Sequence, residues 1–141
     1  MKKLLAIVTW CLMLCWMVSC SRTPDQSGEK PAKIQRAKGI IKSSEKNSDN
    51  SEIHKAKAIL LEILTTDPTN LEANRMLSEI YFKQSMALLD ELTDDASLTQ
   101  LEVVQNKRVM FLQKALFHLK NINDSSALRK TIEKELYMTE E

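Results

Sequence analysis

What most limits the fold of this chain is how few residues in it break helices. Glycine occurs only at Gly28 and Gly39 and proline only at Pro24, Pro31 and Pro68, so from Ile40 onward Pro68 is the single helix breaker. Tight β-hairpins need residues that accept positive φ, and this stretch has neither glycine nor an Asn-Gly or Asp-Gly pair to supply them. Its apolar residues instead return every three or four positions, the period of a helix with one buried side. The expectation is an all-α fold of about four antiparallel helices.

Polar interruptions divide that stretch. Asp49 and Glu52 have the form of a capping box, and Ile53, Ala56, Leu60, Ile63 and Leu64 follow on one face. Pro68 disfavours helical geometry at Asp67, which stops this helix near Thr66. Thr69 with Glu72 forms a second box, and Leu71, Leu77, Ile80, Tyr81, Leu88 and Leu92 carry the next apolar stripe. Thr93-Asp94-Asp95-Ala96 breaks it; Ser97 with Gln100 then caps a helix lined by Leu101, Val104, Val109, Leu112, Leu116 and Leu119. A last helix is expected from about Ser126 to Tyr137, with Leu128, Ile132 and Leu136 inward. Upstream, Ser21–Pro31 has the prolines, glycine and mixed charges of a flexible lead. Ala32–Lys42 has the spacing of a short helix that Gly39 weakens by ~1 kcal/mol, and Ser43–Asn50 turns polar again.

The amino terminus is of another kind. Lys2 and Lys3 precede Leu4–Val18, fifteen residues without a charge, and the run ends in Met17-Val18-Ser19-Cys20. A membrane-crossing helix wants roughly 20 apolar residues, so this is the length of a signal segment, with an uncleaved anchor as the rival reading. The four residues ending at Cys20 resemble the lipobox of bacterial lipoproteins. That resemblance implies cleavage before Cys20, diacylglycerol on its sulfur and a further acyl chain, of the palmitate kind, on the new amino terminus. A cysteine suits the task because its thiolate is nucleophilic. Residues 1–19 are then a signal peptide, 20–50 a lipidated tether and 51–141 the helical domain. Ser21, standing where aspartate retains such proteins at the inner membrane, points to the outer membrane, facing the periplasm.

Charge excludes some partners. The chain has 20 basic and 19 acidic residues, and loss of Lys2 and Lys3 with the leader leaves the two signs nearly balanced, which argues against nucleic acid. Arg22–Lys46 holds seven basic residues against three acidic ones, spaced as in a solvated linker more than as in a lipid-binding collar. Cys11 and Cys15 lie in the leader, so the mature chain has no second cysteine for a disulfide or a thiolate metal site.

The run from Ala56 to Tyr81 resembles the junction between two tetratricopeptide repeats. Ala56, Leu60, Pro68, Leu77, Ser78 and Tyr81 fall at that family's small, bulky, turn-forming, leucine, small and aromatic positions. Ile63 and Asn74 depart from it, as does the sequence after Tyr81. An ordinary helical hairpin is the competing explanation. The resemblance implies that small residues let neighbouring helices approach, large ones fill the space between, and the first helix of a repeat offers its inner face to a ligand. Here that face carries Arg75, Glu79, Phe82 and Lys83.

No catalytic set emerges. His54 and His118 are the only histidines, lie on different helices and are expected at the surface; neither sits in a metal-binding spacing, and there is no phosphate loop or nucleophile elbow. The methionines and phenylalanines read more as core than as an adaptable groove. The chain is therefore read as a non-enzymatic, membrane-tethered adaptor, with the lipid on Cys20 as its one prosthetic group. Its partner is an envelope protein or peptide, or a second copy covering the leftover apolar stripe. The alternative is an accessory envelope lipoprotein whose lipid and basic tether act while the helices serve as spacer.

Overall fold

A computed structural model describes residues 28–47, 50–93 and 96–140, so the expectations for the leader, Cys20, most of the tether, Asp49 and the Asp94-Asp95 pair fall outside the described residues. Two units are distinguished, Met1–Pro31 and Ala32–Glu141. Of the first, only the turn residue Gly28 and the first helical residues Glu29–Pro31 are described.

The fold is all-α. Its helices are α1 (Glu29–Asn47), α2 (Asn50–Thr66), α3 (Leu71–Asp90), α4 (Leu98–Asn121) and α5 (Ala127–Glu140), with no strand among the described residues. The first helix is longer at both ends than the short one expected over Ala32–Lys42. Proline is harmless in a first turn, where its missing N–H has no partner to lose, so Pro31 does not delay α1. Gly39 is tolerated in the interior, and Ile34 and Ala37 are buried against the second unit's core. From Ala32 on, that helix falls in the second unit together with the four that follow it.

The link between α2 and α3 is tightly bonded. The Asp67 N–H donates to the Ile63 carbonyl at 3.0 Å and the Asn70 N–H to the Asp67 carbonyl at 3.0 Å. The cap of α3 is Asn70, whose side-chain oxygen accepts from the Ala73 N–H at 3.0 Å, one residue beyond the expected Thr69. Asparagine at a cap competes well with threonine because its carbonyl oxygen reaches the third N–H. Leu71, expected inward, consequently lies outside the buried face and is exposed.

Ser97 and Gln100 form the expected capping box at the start of α4. At its end Asn123 takes φ 50°, while the Asp124 N–H donates to the Leu119 carbonyl and the Asn123 N–H to the Lys120 carbonyl. This is a Schellman closure with asparagine in the left-handed position that glycine usually occupies. The chain thus makes its turn without glycine.

α3 is the central element. Ala73, Asn74, Met76, Leu77, Ser78, Ile80 and Tyr81 are all buried, so over Glu72–Lys83 only Arg75, Glu79 and Lys83 are exposed. A helix apolar on nearly every side must be covered by neighbours on nearly every side. Hydrogen bonds and ring contacts set the directions: Lys57 meets Gln84 from α2, while Asn74 meets His118 and Tyr81 meets Phe111 across to α4. Hence α2 and α4 both run antiparallel to α3 and parallel to one another. Leu60, Leu77, Leu112, Ala115, Leu119 and Ile132 have no solvent exposure and form the centre of the core.

Candidate protein-binding site

The exposed stripe of α3 borders a hollow. Ile41 of α1, Ile53 of α2, and Met76 and Ile80 of α3 line its apolar part, Glu79 and Lys83 add charge, and its volume is ≈ 170 Å³. Three-four spacing along α3 puts Met76, Ile80, Lys83 and Ala87 on one side, and α1 and α2 bring the remaining isoleucines. Met76 and Glu79 also border a shallower depression of ≈ 420 Å³ walled by Lys38, Glu72 and Arg75. Lys38 and Glu72 form an ion pair across that depression, tying α1 to α3.

Among the residues expected to face a ligand, Glu79 and Lys83 border the hollow. Arg75 reaches the depression, yet its guanidinium also donates to Asp124 Oδ2 from Nε at 3.2 Å and from Nη2 at 2.9 Å. Asp124 is buried and accepts from the Ser126 N–H at 2.7 Å; the hydrogen bonds from Arg75 and Ser126 hold its carboxyl below the usual carboxylate value. Arg75 therefore pins the α4–α5 turn as well as lining the surface. Phe82 is half-buried against the core rather than presented at the hollow. The six positions that carry the repeat resemblance divide as follows: Ala56, Leu60, Leu77, Ser78 and Tyr81 are buried, and Pro68 is exposed in the α2–α3 link.

His118 corrects the surface placement expected for it: only 6% of it is exposed, whereas His54 is exposed. Its Nδ1 lies 3.0 Å from Asn74 Oδ1. The amide Nδ2 of Asn74 donates to the carbonyls of Pro68 and Asn70, each at 2.9 Å, so Oδ1 is the acceptor and the imidazole N–H donates to it. The ring also stacks on Tyr81 at 5.8 Å with 8° between planes. Burial holds the His118 pKa below its ordinary value, which keeps the ring neutral at pH 7. Asn74, which departs from the repeat pattern, is thus a buried joint between the α2–α3 link and α4.

The floor residues Ile41 and Ile53 were not legible as site residues, since they come from separate helices whose approach is tertiary. Met76 and Ile80 carried a signal, being the three-four neighbours of Glu79 and Lys83. Among the described residues no cluster of three or more His, Cys, Asp or Glu side chains is placed to hold a metal ion. No helix among them is long and apolar enough to cross a membrane. No family model matches the chain, and comparison with curated proteins and with solved structures gives no match.

Proposed function

We propose that this chain is a lipid-anchored adaptor of the bacterial envelope, acylated on Cys20, that binds a protein segment on the α1–α3 face and carries out no reaction. The observation that carries the reading is the hollow beside the only exposed stripe of α3, apolar on its floor and bearing Glu79 and Lys83 at its edge. Small-molecule sites usually enclose roughly 300–1,000 Å³, whereas this one has ≈ 170 Å³, the scale of a side chain rather than of a whole ligand. The occupant is a peptide segment with one apolar residue set into Ile41, Ile53, Met76 and Ile80, and with charges of both signs beside it. The tetratricopeptide-like junction from Ala56 to Tyr81 supports this choice of face. The lipobox-like ending at Cys20 supports the outer-membrane, periplasm-facing location.

A photo-crosslinking residue placed at Ala87, at the exposed edge of the hollow, tests the reading in cells expressing the full chain. The expected result is one discrete protein adduct that is absent from the exposed position Thr131 and lost when Glu79 and Lys83 are both changed to alanine. An adduct insensitive to those changes, or none at Ala87, overturns the assignment of this face. Absence of acyl-chain labelling that depends on Cys20 overturns the anchoring.

A further inference from the structure

Beside the hollow, two lysines from different helices converge on one ring. Lys57 Nζ of α2 lies 5.2 Å from the centroid of Tyr81, and Lys114 Nζ of α4 lies 5.6 Å from it. Both are within the range in which an aromatic ring attracts a cation, which explains why each tolerates the position alone. It does not explain why they share it. Like charges repel, and neither lysine is in an ion pair among the described residues; the one polar neighbour seen is Gln84, whose Oε1 accepts from Lys57 at 3.3 Å. Burial and the adjacent Lys114 ammonium hold the Lys57 pKa below its ordinary value.

The surroundings have a direction. Because α2 and α4 run parallel, Leu61, one turn beyond Lys57, and Phe117, one turn beyond Lys114, are displaced toward the same end of the pair. Leu61 is 43% exposed and Phe117 59% exposed, and Phe117 meets His118 edge-on at 5.4 Å. We propose that Lys57 and Lys114 form an anion site for a carboxylate of an acidic protein segment, with Leu61 and Phe117 receiving an apolar side chain one helical turn or a few extended residues away. Two ammonium groups that share one ring, and of which Lys114 is near enough to act on Lys57, suit a single acidic group. A lipid surface would instead be met by cations spread over a face, and the apolar neighbours would have no counterpart among free anions. Tyr81 supplies the rigid floor, buried and stacked against both Phe111 and His118. Gln84, which accepts from Lys57, also lines the hollow, so the two places adjoin, but the lysine pair and its ring do not depend on a segment docking in the hollow.

The test uses the full chain in detergent and three probes: the capped peptide acetyl-Leu-Glu-Glu-Leu-amide, its Gln-Gln counterpart and inorganic phosphate. Binding is measured by calorimetry, and protection of individual lysines from acetylation by mass spectrometry. The acidic peptide is expected to protect Lys57 and Lys114 but not the exposed Lys107, to lose affinity about tenfold or more in the double variant K57Q/K114Q, and to bind more weakly as salt rises. Glutamine keeps most of each stem while removing the charge, so helical circular dichroism of the variant serves as the folding control. In a folded double variant, unchanged affinity overturns the proposal, as does equal binding of the neutral peptide. Protection by phosphate as strong as by the peptide identifies a simple phosphate site and overturns the carboxylate assignment.

Discussion

The two sides of α3 are held in different ways. On the side of α4, Leu77, Leu112, Ala115 and Leu119 are wholly buried, the polar atoms of Asn74 and His118 find each other, and Arg75 clasps Asp124 at the end of the seam. On the side of α1, among the side chains described over 32–44, only Ile34, Ala37 and Ser44 are buried. Charged ties there include Lys33–Glu62 and Lys38–Glu72, both partly or well exposed. Exposed ion pairs contribute about 0–1 kcal/mol each, so among the described residues α1 is held mainly by Ile34, Ala37 and the partly buried Ile41 and by its own helicity. One side of the central helix is closed by packing and by the Asn74–His118 and Arg75–Asp124 pairs, which tolerate few alternatives. The other is a looser edge, and that is where the hollow lies. A domain can keep its fold on one face of a helix and leave the opposite face under-filled for a partner.

The largest effect should separate these two sides directly. Leu119→Ala removes a wholly buried side chain from a seam that cannot collapse around the loss, and should cost about 2–5 kcal/mol. Ile34→Ala, at the edge formed by α1, should fall at or below the low end of that range, because the helix can settle into the gap. Urea unfolding followed by circular dichroism measures both. Equal losses would show that α1 is packed as firmly as α4, and the contrast would fail.

A second effect tests the polar half of the seam. The folded pKa of His118 lies below the ordinary 6.5 because burial penalises the imidazolium, while the unfolded chain titrates near 6.5. Between those values the unfolded state binds more protons, so stability rises with pH in that window. It should therefore be level above about pH 7.5 as far as this group is concerned, and fall as the pH drops below 6.5. Lys57 and Lys114 face the Tyr81 ring on which His118 stacks, and Asn74 Oδ1 already accepts the Nδ1 proton of the neutral ring. Asp124 does not confuse the reading, since its carboxyl is held below 3.8 and titrates in a lower window. In a His54→Gln background, leaving His118 as the only histidine, the urea midpoint should decline from pH 7.5 to 5.5. A flat profile, or an imidazole resonance titrating at or above 6.5, would remove His118 from the buried seam.

Short-range features were legible in the sequence, and long-range ones were not. The Ser97–Gln100 box and the stop before Pro68 were readable because capping and proline geometry act over three or four residues. The exposure of Arg75, Glu79 and Lys83 was readable for the same reason, since helical period alone separates them from Met76, Leu77 and Ile80. His118 was misplaced because its partner Asn74 is 44 residues away and nothing local announces the pairing. Asp124, 49 residues from Arg75, was hidden in the same way. The extent of α1 was misjudged because Pro31 and Gly39 were weighed by propensity, which tertiary burial of Ile34 and Ala37 outweighs.

The smallest effect decides whether α1 unfolds with the rest. Gly39 lies in the interior of α1 with nothing within 4 Å of where a Cβ would stand, so alanine fits without displacing a neighbour. Alanine also has fewer conformations to lose than glycine, and Gly39→Ala should stabilise the helix by about 0.5–1 kcal/mol. Where that gain appears is informative. If α1 melts in one step with α2 to α5, the global urea midpoint rises by the full amount. If the edge opens first, the midpoint stays fixed while amide exchange in α1 slows about two- to fivefold, in line with that gain. The loose edge described above predicts the second result, and a full global shift would mean that α1 is an integral wall of the hollow rather than its yielding side.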